Sequence, residues 1–377
     1  MKNNPLKKLE SLGQAIWLDY IRRDLVIGGD LEQMISQDGL RGMTSNPAIF
    51  EKAIAESNLY DTNIQEMSLE GKDAQAIYEA LSQKDVQDAA DVFRSVFDQT
   101  NGLDGYVSLE VNPHLAHDSQ GTVMEGRRLW EALNRPNVFI KVPATIEGLP
   151  AIRQLISEGI NINVTLLFGL SRYRAVAEAY VQGLEDRLSQ GKPISEVTSV
   201  ASFFLSRIDT LVDPLLEEIM KTDDQKKEMA LHTVGKTAIA CAKAAFGIYR
   251  EIYGSDRFRK LEAKEARVQR LLWASTSSKN PAYSDVMYVE SLIGKNTVNT
   301  IPPQTLDAYR DHGQPELTLE TEPEGAHKVL SNLAELGIDL EHFAQQLEDE
   351  GVSKFKEPFD KLMESLALKS FRKKMFK

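Results

Sequence analysis

Short apolar runs recur along the chain, each closed by a polar residue and most followed by a stretch whose apolar positions have helical spacing. AIWLD ends at Asp19, GLRGMTSN ends at Asn46 before the strand-breaking Pro47, GYVSLEV carries Glu110 near its end, and VFIK ends at Lys141. ININVTLLF follows with Asn163 and Thr165, then SVASFFLSR with Ser202 and Arg207, RVQRLLWAST reaching Ser275 and Thr276, and TVNTIP closing at Thr300. Between them, the stretch from about Asp73 to Thr100 and the stretch Glu147 to Gly159, with Leu149, Ile152, Leu155 and Ile156, read as helices. Eight strand candidates separated by helices imply βα units, a parallel sheet and right-handed crossovers, and eight strands close a barrel.

The expected fold is therefore α/β, a (β/α)8 TIM barrel with additional helices over residues 1–312. A longer helical insert, roughly Asp213 to Lys264, separates strands six and seven. A helical extension, residues 313–377, is expected to pack on the barrel, entered through the acidic, proline-bearing QPELTLETEPEG. Its helices are read at His327–Leu336 and Leu340–Leu368, and its basic tail KSFRKKMF is read as a frayed terminus or as packing Phe371 and Phe376 back on the barrel with the lysines solvated, the alternative being a polyanion-binding tail.

In such barrels the active site lies at the carboxyl ends of the strands, where side chains from different strands converge. Here those ends bear Asp19, Asn46, Glu110, Lys141, Asn163, Thr165, Ser202, Arg207 and Ser275. Lys141 stands out because it sits inside an otherwise apolar run. Burial disfavours its charged form, and moving a lysine from ~10.4 to ~7 requires about 4 kcal/mol, which an apolar wall and a nearby cation can supply. Such an amine attacks carbonyls to form an imine. The alternative for a lone lysine is a snorkelling or ion-paired group that closes a strand end.

Composition narrows the partners. With 42% hydrophobic and 27% charged residues in 377, the chain is of ordinary soluble globular type. A balance of 56 acidic against 44 basic residues, net charge −12, argues against general nucleic-acid binding, although a few local cations suffice for a phosphate pocket. The single cysteine, Cys241, excludes an internal disulfide or a multi-cysteine zinc site and reads as a buried filler of a helix face. No run reaches the ~18 apolar residues of a membrane span, and MKNNPLKKLESLGQ lacks the apolar core of a signal peptide, so a cytoplasmic location is expected. TVGKTA resembles half a phosphate loop, but the first glycine of that motif would fall on Ala230, which argues against nucleotide binding. His114 and His117, followed by Asp118, lack a third histidine at a metal-site spacing and read as structural.

Two stretches resemble family signatures. GMTSNPAIF is similar to the first transaldolase signature and VFIKVPATIEGLPAI to the second, with further likeness in YVSLEVNP, EGININVTLLFG and SFFLSRID, in this order from about Asp19 to Pro302. The resemblance implies a class I aldolase-type barrel in which Lys141 forms the Schiff base, Asp19 is the acid/base at the cleaved carbon bond, and Glu110 with Thr165 positions a proton-relaying water. It further implies that Asn46 and Asn163, with Ser202 beside them, bond the three-carbon unit, and that Arg207 and Ser275 bind phosphate. One departure is visible: where the family has a second phosphate arginine after strand seven, WASTSSKNP offers Ser277 and Lys279. Lysine binds phosphate as a point charge without the bidentate fork. The implied reaction transfers a dihydroxyacetone unit between sugar phosphates without cofactor or metal, leaving monomer or homodimer open. Glu110 and Phe204 resemble the transaldolase choices where a fructose 6-phosphate aldolase tends to use glutamine and tyrosine. That lyase is the nearest alternative, and a catalytically silent binding barrel is the alternative from another class.

Overall fold

A computed structural model describes residues 4–371, so the packing expected of Phe371 and Phe376 lies outside the described side chains. Eight parallel strands close into a barrel in sequence order: β1 Gln14–Asp19, β2 Leu40–Thr44, β3 Tyr106–Glu110, β4 Val138–Pro143, β5 Ile162–Leu167, β6 Ser199–Phe204, β7 Arg270–Ala274 and β8 Thr297–Ile301. Almost every strand residue is buried, because the outer face is covered by helices and the inner face by the opposite wall.

Successive side chains of a strand point to opposite faces, so alternate residues form interior columns. At the amino end the columns begin with large rings. The Tyr106 and Phe139 rings stack at 4.4 Å between centroids and Phe139 stacks on Trp17 at 5.9 Å. Gly42 of β2 makes room for this layer, since a Cβ there would lie 2.6 Å from the Trp17 indole. Two residues further along three of these strands stand Asp19, Ser108 and Lys141, and another two along β3 stands Glu110. The barrel is thus aromatic below and polar above, and parity alone delivers the polar groups to one end.

Several boundaries differ from the sequence expectation. Strand β2 stops at Thr44; Asn46 instead caps the helix Pro47–Ala55, its side-chain oxygen accepting from the Ile49 amide at 3.0 Å, and Pro47 opens that helix. Lys141 is the fourth of six residues in β4, not its end. Arg207 is not on β6 but in the first turn of the helix Ser206–Thr222, because the chain turns at Leu205. That helix and three more, Lys227–Thr233, Thr237–Tyr253 and Asp256–Glu262, make up the insert before β7, which begins seven residues earlier than its expected start at Asp213.

After the helix Pro323–Leu336, a C-terminal helix, Leu340–Phe371, crosses the carboxyl end of the barrel. Near its start Glu341 accepts from the Ser171 amide, and Glu348 forms an almost buried ion pair with Arg172 at 2.7 Å. Phe359 meets Tyr78 edge to face at 5.4 Å, Asp360 pairs with His114 at 2.8 Å, and Lys369 reaches Asp61 at 2.9 Å. Buried Glu348, Val352, Phe355, Phe359, Leu362 and Leu366 recur every three or four residues, giving one inward stripe.

Candidate active site

Lys141 is 4% exposed. Its Nζ donates to the Ser45 carbonyl at 3.0 Å and lies 3.3 Å from Glu110 Oε2, an ion pair whose two side chains are 5% and 4% exposed. The Phe355 ring of the C-terminal helix stands 5.6 Å from the same nitrogen. Where the sequence implied an apolar wall and a nearby cation, the amine has beside it a carbonyl, a carboxyl and an aromatic face. Burial pushes the Glu110 carboxyl up to about 7 from an ordinary 4.5, with the Lys141 charge pulling it partly back. A carboxyl there gives and takes protons near neutrality.

Asp19 accepts from the Thr44 hydroxyl at 2.8 Å, and Thr44 in turn meets Thr300 at 2.7 Å. Burial raises the Asp19 carboxyl above its usual range, opposed first by Lys141, then by the Thr44 hydrogen bond, Lys279 and Arg207. Three cations therefore act on this one carboxyl, in a chain that is negative overall. On the opposite wall Asn163 donates to Ser108 at 3.0 Å and accepts from Ser202 at 2.7 Å, which fixes its amide orientation. The strand register sets Lys141 beside both Glu110 and Asn163.

Thr165 follows two residues later, at a bulge where the β5–β6 pairing slips and Leu166 takes φ +56°. A β-bulge redirects side chains beside it, and left-handed φ on a branched residue is strain tolerated where surroundings enforce it. Ser275, just past β7, also has φ +55°, and its hydroxyl lies 2.9 Å from that of Ser206. Arg207 stands under the Phe204 ring at 5.6 Å, and its burial lowers the guanidinium pKa. Lys279 donates to Ser277 at 2.6 Å; its ammonium is lowered by partial shielding from water and then by Arg207, which places the two cations in one field. Among buried side-chain polar atoms that make no hydrogen bond are both Glu110 oxygens, Thr165 Oγ1 and Arg207 Nη1. Unsatisfied buried polar groups are rare in folded proteins, and four on the residues of one mouth point to a ligand.

Sequence reading missed Thr44 and Ser108 and named Thr300 only as a strand end, although each lies on the interior parity of its strand, and missed Phe355, for which no local signal exists. Asn46 is half-buried, with its oxygen committed to the helix cap. The other motifs are consumed elsewhere. Gly235 and Ala238 of the TVGKTA segment donate their amides to Asp213 and Asp209 at 2.9 and 2.7 Å, so these N–H groups serve the chain's own carboxylates. His117 pairs with Glu147 at 3.1 Å, away from the His114–Asp360 pair. Cys241 is buried on the helix Thr237–Tyr253.

Polar side chains from seven of eight parallel strands meeting at the carboxyl mouth define an α/β-barrel enzyme. Comparison with known proteins gives the rest. A model of the Transaldolase/Fructose-6-phosphate aldolase family matches residues 16–366. The chain is 49% identical to a transaldolase of Trichodesmium erythraeum, 47% to transaldolase 2 of Nostoc punctiforme and 44% to a transaldolase of Frankia alni, with 97% of each chain covered in all three cases. The protein belongs to the transaldolase/fructose-6-phosphate aldolase family.

Proposed function

We propose that the protein is a transaldolase, moving a dihydroxyacetone unit from sedoheptulose 7-phosphate to glyceraldehyde 3-phosphate, in the non-oxidative pentose phosphate pathway of the cytoplasm. The observation that carries this reading is Lys141, buried at 3.3 Å from a carboxyl held near 7, in the mouth of the barrel. Lys141 Nζ adds to the donor's ketone carbon and water leaves, giving a protonated imine; Glu110, with Thr165 holding a water, moves the protons. Asp19 takes the proton from the hydroxyl next to the carbon bond that breaks. The bonding electrons pass into the imine, erythrose 4-phosphate departs, and an enamine stays on Lys141. The enamine carbon then attacks the acceptor aldehyde, Asp19 returns its proton, and hydrolysis frees fructose 6-phosphate and the amine. The imine is the electron sink, so no metal or cofactor is assigned.

Asn46, Asn163 and Ser202 bond the hydroxyls of the three-carbon unit, while Arg207, Ser275 and Lys279 take the phosphate, so that binding far from the reacting carbon orients the chemistry. Residues 313–377 are assigned as a helical extension of a barrel domain spanning 1–312. No helix among the described residues is long and apolar enough to cross a membrane. Phe204, which offers no hydroxyl beside the site, supports transfer over the family's aldolase chemistry.

The direct test is a two-substrate assay. Fructose 6-phosphate consumption is expected to rise at least about tenfold when an aldehyde acceptor is added, a difference of ~1.4 kcal/mol in favour of transfer. Cleavage at the same rate without acceptor would identify an aldolase instead. For the phosphate end, Lys279→Ala is expected to raise KM about tenfold or more while leaving kcat within roughly threefold, since a remote charge contributes uniform binding. An unchanged KM removes Lys279 from the site.

A further inference from the structure

The C-terminal helix does more than cover the barrel. It is held across the mouth from both sides: Arg172 ties Glu348 at 2.7 Å to the Ala144 carbonyl, which it meets at 2.5 Å just past β4, while Phe359 and Asp360 dock on Tyr78 and His114. Between these anchors Gly351 lets the helix sink onto the bulge, since a Cβ there would lie 2.9 Å from Leu166 and 3.6 Å from Arg207 Nη1. One turn further on, Phe355 is 5% exposed, with its ring 5.6 Å from Lys141 Nζ. The polar partners of that nitrogen are the Ser45 carbonyl and Glu110. A fixed aromatic face over a nucleophile excludes water without competing for its hydrogen bonds.

We propose that Phe355 is a specificity-determining residue that keeps water from the enamine on Lys141, so that the bound three-carbon unit waits for an aldehyde rather than being released. The inference rests on the transaldolase reading above. The reaction it suppresses is balanced without any further reagent. A proton from water adds to the enamine carbon, restoring the protonated imine; hydroxide adds to the imine carbon; the carbon–nitrogen bond then breaks, giving free dihydroxyacetone and the Lys141 amine. Transfer and release share every step up to the enamine and diverge only there. The ratio of the two products therefore reads the shielding alone, and a loss of fold or of donor binding lowers both together.

The experiment uses the full chain carrying Phe355→Ala, with Phe355→Leu as the apolar replacement that keeps bulk. Dihydroxyacetone release from fructose 6-phosphate without acceptor, and transfer from fructose 6-phosphate to erythrose 4-phosphate giving sedoheptulose 7-phosphate, are measured side by side. Borohydride trapping of a fructose 6-phosphate adduct on Lys141 is followed in each protein. The release-to-transfer ratio is expected to rise about tenfold in the alanine variant and to return to near the parent value in the leucine variant, with trapping retained. An unchanged ratio with trapping intact overturns the proposal, whether or not both activities fall together. Should the alanine protein not fold, Phe355→Val carries the same comparison with the same two outcomes. Failure of the parent protein itself to form the Lys141 adduct would instead sink the underlying reading, whatever the variants do.

Discussion

Lys141→Ala is expected to lower transfer by about 10⁴-fold or more, because the variant has lost the group proposed to carry the covalent intermediate. The measurement that assigns the loss is mass: fructose 6-phosphate and borohydride should add a reduced sugar to the parent protein at residue 141 and nothing to the variant. Equal labelling of both proteins would place the imine elsewhere. The substitution also removes a buried cation that faces Glu110 at 3.3 Å, so the fold is altered locally as well. For that reason the adduct, and not the rate alone, decides the outcome.

Glu110→Gln is expected to reduce kcat by roughly 10²- to 10³-fold, the usual contribution of a positioned proton-transfer group. It carries a second signature in stability. An unfolded Glu110 gives up its proton near 4.5, whereas the folded carboxyl holds it to about 7. Between those values the folded chain binds the extra proton, so its stability falls as pH rises through the window and the loss levels off above it. Moving the ionisation from 4.5 to about 7 corresponds to up to about 3 kcal/mol. Glutamine has no proton to lose. Denaturant unfolding of both proteins at pH 5 and pH 8 should therefore show the stability difference shifting toward the variant by up to about 3 kcal/mol. A difference independent of pH would mean that Glu110 is already ionised at pH 5.

How far the sequence announced this site follows from what each element depends on. The strands were legible because each is an apolar run bounded by its own breakers, and the helix read from Glu147 to Gly159 matches the observed Gly148–Glu158 with those two residues as caps. Lys141, Glu110, Asn163, Thr165 and Ser202 were found as polar interruptions of apolar runs, a signal that needs no tertiary information. Thr44 and Ser108 were passed over, and Thr300 read only as a strand end, because hydroxyls are unremarkable in strands; counting in twos from Tyr106 along β3 would have put Ser108 on the same inner face as the ring layer. Arg207 was assigned to a strand because the turn at Leu205 carries neither glycine nor proline. Phe355 had no local mark at all: its position over Lys141 is set by the docking of Glu348 on Arg172 and of Phe359 on Tyr78, contacts between segments far apart in the chain.

That last contact also fixes an order of events in the cell. Phe355 follows Lys141 by 214 positions, 355 less 141. At ordinary elongation rates it leaves the ribosome roughly 10 to 40 s after the lysine does. Lys369, which fastens the end of the same helix to Asp61, emerges later still. Every nascent molecule thus passes through an interval with Lys141 already translated and the aromatic ring that comes to stand over it not yet made.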